Sequence, residues 1–143
     1  KSLTPAISGI STYPTMNTEN EKAEKRGLSD ELPRLECFEN QFKNYSITVV
    51  IPEYTSLCPK TGQPDYGTVT IEYSPDKNIL ELKSLKTYIQ AYRNLGIFYE
   101  NAINRILDDI VAAARPVRAK VKGEFRPRGG IYSIIEVSYP REG

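Results

Sequence analysis

Two side chains have the types and the setting for covalent chemistry, Cys58 and Asp65. They lie in the segment Leu57-Cys58-Pro59-Lys60-Thr61-Gly62-Gln63-Pro64-Asp65. A thiol that ionises is a nucleophile, and a nearby carboxyl can supply the proton that the reaction needs. A single cysteine is more often a small buried hydrophobe, so it is the surrounding segment that raises this one. Pro59 and Pro64 each remove a backbone donor and fix φ, which excludes a helix or a central strand. Thr61-Gly62-Gln63 supplies turn chemistry between them. Apolar residues alternate on both sides, Ile47, Val49 and Ile51 before and Val69, Ile71 and Tyr73 after. Two strands should therefore flank a shaped loop that presents Cys58 and Asp65 to one place.

The chain contains no histidine. That removes Ser-His-Asp and Cys-His nucleophile pairs and any His-ligated zinc or iron site. Two cysteines, Cys37 and Cys58, cannot build a Cys-only zinc site within one chain, so no metal is expected. The proton partner of Cys58 must be a carboxylate, a lysine or a tyrosine.

Further candidates lie downstream. Lys83 and Lys86 are spaced i,i+3 in Glu81-Leu82-Lys83-Ser84-Leu85-Lys86-Thr87-Tyr88 and share a helix face. Near a helix start with free N–H groups they would form a phosphate site, although spacing alone favours an ordinary solvated face. Arg128 precedes Gly129-Gly130 and suits either a loop that closes on an anion or a plain hairpin turn. Phe98-Tyr99-Glu100 opens a helix. Its aromatic residues and carboxylate suit a purine-like ring, but a carboxylate there is also ordinary helix-end electrostatics.

The elements that must position these groups follow from periodicity. Residues 45–52 read as a strand that Pro52 ends, and residues 67–74 as a second strand, closed by a turn at Ser74–Asn78. A helix is expected from about Ser84 to Leu95, with Leu85, Tyr88, Ile89 and Tyr92 inward and Gly96 as its stop. A second helix should cover about Phe98 to Arg115. Ala102, Ile103, Ile106, Leu107, Ile110, Val111 and Ala114 give it one apolar face, with Arg105 and Asp109 on the other. Strands at 117–125 and 131–139 enclose a hairpin loop, Arg126-Pro127-Arg128-Gly129-Gly130. Residues 32–42 carry Leu32, Leu35, Phe38 and Phe42 for packing on the core. The order ββααββ predicts an α+β fold, an antiparallel sheet with two helices on one face. The chain has little left to cover the other face, so oligomerisation is expected.

With 143 residues a single domain is expected, over 32–143. Residues 1–31 read as a disordered extension. Met16 is the only methionine, and the expected native start, which would leave residues 1–15 as a leader or a remnant. The formal net charge of +1 gives no basic field for a nucleic-acid partner. No apolar run approaches a membrane span. A reducing cytoplasm suits a free Cys58 thiol.

The motifs together are more specific than any one of them. Leu57–Asp65, Glu81–Tyr88, Tyr92-Arg93-Asn94 followed by Phe98-Tyr99-Glu100, and Pro127-Arg128-Gly129-Gly130 occur in one order. Over roughly residues 38–140 this combination resembles the short single-domain NADPH-dependent 7-cyano-7-deazaguanine (preQ0) reductases. The resemblance implies the tunnelling fold and a ring-forming homo-oligomer, a decamer of stacked rings with active sites between subunits. It implies NADPH-dependent reduction of the preQ0 nitrile to the aminomethyl group of preQ1, in the queuosine pathway of tRNA modification. Cys58 then corresponds to a nucleophile forming a thioimide and Asp65 to the proton donor. Leu80, Glu81, Leu82, Phe98, Tyr99 and Glu100 correspond to substrate contacts, and Lys83, Lys86 and Arg128 to cofactor-phosphate contacts. Tyr99 stands where many members carry histidine, and Thr87 where a larger or apolar residue is usual. Two other readings are an amidinotransferase-like relative acting on preQ0 in tRNA, which needs no NADPH, and a non-catalytic purine-binding protein. The zinc-dependent relative GTP cyclohydrolase I is excluded by the missing histidines.

Overall fold

The computed structural model describes residues 23–142. Its elements are β1 (Cys37–Glu39), β2 (Ile47–Leu57), β3 (Pro64–Ser74), β4 (Asn78–Leu80), α1 (Leu82–Gln90), a 3-10 turn (Ala91–Asn94), α2 (Tyr99–Ala114), β5 (Arg118–Phe125) and β6 (Ile134–Tyr139). Strands β2-β3-β5-β6 form one four-stranded antiparallel sheet, and β1 pairs with β4 in a small second one. The ββααββ order and the α+β class are as expected, and the small sheet is an addition to them.

Alternation places the core. Val69, Ile71 and Tyr73 of β3 and Ala119, Val121 and Phe125 of β5 point to one face and are buried. Against them lie Ala102, Ile103, Ile106, Leu107, Ile110 and Ala114 of α2. Of the expected apolar face only Val111 is less than fully buried. The Phe98 side chain makes no cap hydrogen bond to α2, and the C-cap Arg115 takes a left-handed conformation at φ 47°. A missing cap costs about 1 kcal/mol, whereas each buried Ile or Leu contributes about 1.5–3 kcal/mol. Packing, not capping, holds α2.

Several expectations are corrected. Pro52 does not end β2. The register with β3 shifts between Ile51 and Tyr54, a bulge that carries the proline through, and β2 is an edge strand where a missing N–H is tolerated. The strand therefore runs on to Leu57 and delivers the chain to Cys58. The first helix ends at Gln90 and tightens into the 3-10 turn. Gly96 is not its stop, for it forms a parallel bridge with Leu57. Phe38 and Phe42 are exposed, while Leu32, Leu35 and Cys37 pack on the core, because β1 alternation turns Cys37 inward and Phe38 outward.

Arg105 and Asp109 do form the i,i+4 ion pair, at 3.2 Å, but not on a solvated face. Tyr88 donates to Asp109, and Tyr88 and Tyr92 share a 2.8 Å hydrogen bond. Arg105 donates to the carbonyls of Gly27 and Asp30. Residues 23–31 are thus packed on α2, where composition predicted disorder, and Ala23 is buried. The Met16 start and the leader over 1–15 lie outside the described residues. Tyr88→Phe removes the hydroxyl that joins Asp109 to Tyr92. The expected cost is about 1–3 kcal/mol, read as a lower urea midpoint at unchanged slope.

Candidate active site

The Cys58 loop is closed by its own backbone. Cys58 N–H donates to Gln63 O at 2.9 Å and Gly62 N–H to Cys58 O at 2.8 Å. Gly62 carries φ +71° with open space around it, the conformation that a glycine turn supplies. Leu57 N–H donates to Leu95 O, and Ile97 N–H to Leu57 O. These two bonds hold the segment leading to Phe98, Tyr99 and Glu100 beside the cysteine.

The thiol is half-buried. Burial pushes its pKa up. Hydrogen bonding from the Thr61 hydroxyl and from the N–H groups of Thr61 and Lys60 outweighs this, despite the opposing charge of Asp65, and leaves it below the ordinary thiol value. Cys37 goes the other way, raised by burial. Of the two thiols, Cys58 is the one poised as a thiolate.

Asp65 begins the inward-facing row of β3 and is 4% exposed. Arg128 Nη1 donates to its Oδ1 at 2.6 Å and Tyr99 OH to the same oxygen at 3.1 Å. Both donors converge on that one oxygen. Burial, then the Asp65 charge and hydrogen bond, push the Tyr99 hydroxyl up to about 12. Tyr99 therefore remains a donor throughout the neutral range. Its ring stacks on Phe125 with centroids 3.9 Å apart. Arg128 Nη2 donates to Gln63 Oε1 at 2.7 Å. The hairpin tip is tight: Arg128 and Ile131 exchange both backbone bonds, and Gly129 and Gly130 take φ +60° and +80°. The anion that Arg128 meets in this structure is Asp65.

One chain thus brings together Cys58, Asp65, Tyr99 and Arg128, with Phe98 and Glu100 alongside. It does not bring Leu80 to them, and among the described residues no hydrogen bond or ion pair joins Glu81, Lys83 or Lys86 to Cys58, Asp65, Tyr99 or Arg128. Leu80 N–H is bonded to the Tyr73 hydroxyl, at the far end of β3 from Asp65. Eight residues of strand span about 27 Å. Leu80 is itself buried, while Leu82, Lys83 and Lys86 are exposed. The expected phosphate site at the helix start is also corrected. The Glu81 carboxylate caps α1, accepting from Lys83 N–H and Ser84 N–H at 2.7 Å each. Those N–H groups lower the Glu81 pKa and are no longer free for a phosphate. Lys83 and Lys86 can hold an anion only through their ammonium groups, and among the described residues neither is ion-paired.

Gln63, Thr61 and Phe125 were not singled out from sequence. Thr61 and Gln63 are visible as turn residues, but the bond of Gln63 to Arg128 is tertiary, and turn chemistry alone does not say that the Thr61 hydroxyl favours the thiolate. Nothing in local pattern marked Phe125 as the ring beneath Tyr99. Tyr54 and Ser56, inward-facing on β2 with Ser56 directly opposite Asp65, are buried, and among the described residues their hydroxyls reach no hydrogen-bond partner at normal geometry.

The model of the QueF-like protein family matches residues 64–143. The NADPH-dependent 7-cyano-7-deazaguanine reductase of Elusimicrobium minutum is 51% identical over 119 residues, 82% of this chain and 90% of the relative. The reductase of the same name from Chlorobaculum tepidum is 53% identical over 109 residues, 75% and 93% of the two chains. Among solved structures, the apo archaeosine synthase QueF-Like superposes with a TM-score of 0.63 at 22% identity, over 68% of this chain and 95% of the other. That likeness concerns the fold alone.

Proposed function

This chain belongs to the QueF-like family of NADPH-dependent 7-cyano-7-deazaguanine reductases, and from that membership and the site geometry we infer how its residues act. It is an oxidoreductase that reduces the nitrile of 7-cyano-7-deazaguanine to the aminomethyl group, within queuosine biosynthesis. The single observation that supports the residue roles is a thiol held below its ordinary pKa beside a carboxylate that accepts from Arg128 and Tyr99.

Cys58 gives its proton to Asp65, and the sulfur adds to the nitrile carbon, the electrophilic end of the bond. Asp65 passes that proton to the nitrile nitrogen, which gives a neutral thioimide and a regenerated carboxylate. Bound NADPH supplies a hydride at each of two steps. After the first, Cys58 leaves as thiolate, stabilised by the Thr61 hydroxyl and the N–H groups of Lys60 and Thr61, and an imine remains. In the second, the imine carbon takes the hydride and its nitrogen takes a proton drawn from solvent by way of Asp65, which yields the amine. Tyr99 keeps the Asp65 carboxylate oriented but cannot serve as a cation. Phe98 faces the deazaguanine ring, and Glu100 accepts from its N–H edge.

The residues fit a phosphate-bearing cofactor by their charge. Lys83 and Lys86 present their ammonium groups on one exposed face of α1, without an ion pair among the described residues. Arg128 is carried on an open glycine turn from which it can meet a second anion. Leu80 sits at the far end of β3 from Asp65, and among the described residues Lys83 and Lys86 make no ion pair with Asp65, which supports a site completed by a second copy. The cytoplasm is the compartment consistent with this chemistry. Among the described residues no helix is long and apolar enough to cross a membrane.

Two measurements test this. Mixing the protein with 7-cyano-7-deazaguanine, NADPH and an ammonium salt should oxidise two NADPH per amine formed, and a ratio of zero with amidine formed would replace reduction by transfer. Mixing inactive Cys58→Ala chains with Lys83→Ala/Lys86→Ala chains should restore activity in about a quarter of sites, the statistical share for a two-chain site. No recovery after demonstrated subunit exchange would place all groups on one chain.

A further inference from the structure

One of the groups that favour the Cys58 thiolate is the N–H of the peptide between Pro59 and Lys60. The carbonyl of this same peptide is held from outside the loop. Arg26 Nη1 donates to Pro59 O at 3.2 Å. Arg26 belongs to the 23–31 segment, which lies before the residues the family model matches and which composition alone marked as disordered.

The contact is built rather than incidental. The Arg26 guanidinium lies against Gly96, so closely that a Cβ there would fall 2.7 Å from Nη2. Gly96 is the residue bridged to Leu57, one position before the cysteine. The next strap residue, Gly27, sits at φ +83°, where a Cβ would fall 2.6 Å from Ile97 Cβ. Two glycines therefore allow the strap to descend onto the segment that carries Phe98 and Tyr99. Behind it, Asn101 Nδ2 donates to Glu24 O at 2.7 Å, and Arg105 holds the Gly27 and Asp30 carbonyls. The strap is fixed to α2, and Arg26 reaches from it to the nucleophile loop.

We propose that Arg26 is a positioning residue for Cys58: by gripping the Pro59 carbonyl it fixes the 59–60 peptide with its N–H toward the sulfur. The inference rests on Cys58 being the nucleophile. A carbonyl bonded to a guanidinium polarises its peptide and strengthens the N–H as a donor, so the grip adds to orientation. The charged groups that face the thiol are Asp65 from β3 and Arg128 from the hairpin tip, and neither depends on Arg26. Lys60 is on the loop itself.

The test needs neither substrate nor cofactor. The pH dependence of iodoacetamide alkylation is followed at Cys58 and Cys37 separately by peptide mass spectrometry. Arg26→Ala should raise the Cys58 midpoint and slow its alkylation at pH 7 about three- to tenfold, since one pH unit is a tenfold change in thiolate. Cys37, distant and raised by burial, should keep its profile. Gly96→Ala should reproduce the shift by displacing the guanidinium, with no further change in the double variant. Arg26→Lys should recover part of the loss, and should Arg26→Ala fail to fold, the Lys variant is read alone for a smaller shift of the same sign. An unchanged Cys58 midpoint, or an equal shift at Cys37, overturns the proposal. A failure of the reduction itself would leave these alkylation profiles untouched, so the two readings fail separately.

Discussion

Cys58→Ala is expected to abolish covalent capture of 7-cyano-7-deazaguanine and to lower turnover by roughly 10⁴-fold or more, the scale on which removal of an essential nucleophile acts. The wild-type protein mixed with the nitrile and no NADPH should gain the mass of the ligand, and the variant should not. The effect is large because no other group can substitute. Cys37 has a thiol raised by burial, with its Sγ directed at Ala113 O at 3.5 Å. The fold should survive, because Cys58 lies half-exposed on a loop closed by backbone bonds that alanine keeps. The adduct should also form below the usual pH of thiol chemistry, since the thiolate is favoured. An adduct on Cys58→Ala, or full turnover by it, would remove the thioimide from the mechanism.

What the sequence made legible divides by the range of the interactions. The period-2 and period-3.6 patterns placed the four long strands and both helices, because burial on one face is a local property of Val69-Ile71-Tyr73 or Ile103-Ile106-Ile110. The prolines and the glycine of the Cys58 loop were equally local, and the turn closes as expected, but Pro64 and Asp65 belong to the central strand β3 that the proline was expected to exclude, because Pro64 is its first residue. Pro52 misled because its effect depends on whether its strand is an edge, which is a fact of topology. The Lys83-Lys86 pair was visible as spacing, but Glu81 capturing the helix N–H groups was not weighed against a phosphate. Residues 23–31 look polar and structureless in composition. Their order comes from a few specific polar bonds with Arg105 and Asn101, seventy or more positions away, and from two glycines allowing close approach. Arg128 was read as a group for an anion, and so it is, but the anion in this structure is the carboxylate of Asp65.

That ion pair carries the second large prediction. Asp65→Asn should lower turnover by about 10²–10⁴-fold, the usual contribution of a positioned acid–base group, while making the Cys58 thiol more acidic. The two readouts move in opposite senses for one reason. The Asp65 charge raises the Cys58 pKa, so neutralising it stabilises the thiolate, and alkylation at pH below the thiol midpoint should become faster. Asparagine cannot carry the proton from sulfur to nitrogen, so the thioimide forms slowly despite the better nucleophile. Its Oδ1 still accepts from Arg128 and Tyr99, which keeps the 2.6 Å and 3.1 Å contacts available and protects the geometry. A purely structural role for Asp65 predicts slower alkylation together with slower turnover, because a loosened loop loses the Thr61 and Lys60 donors as well. Faster alkylation with slower capture of the nitrile assigns the proton transfer to Asp65. Unchanged capture would move that role to another group, and Tyr99, whose hydroxyl is pushed up to about 12 and donates to the same oxygen, would be the first to test.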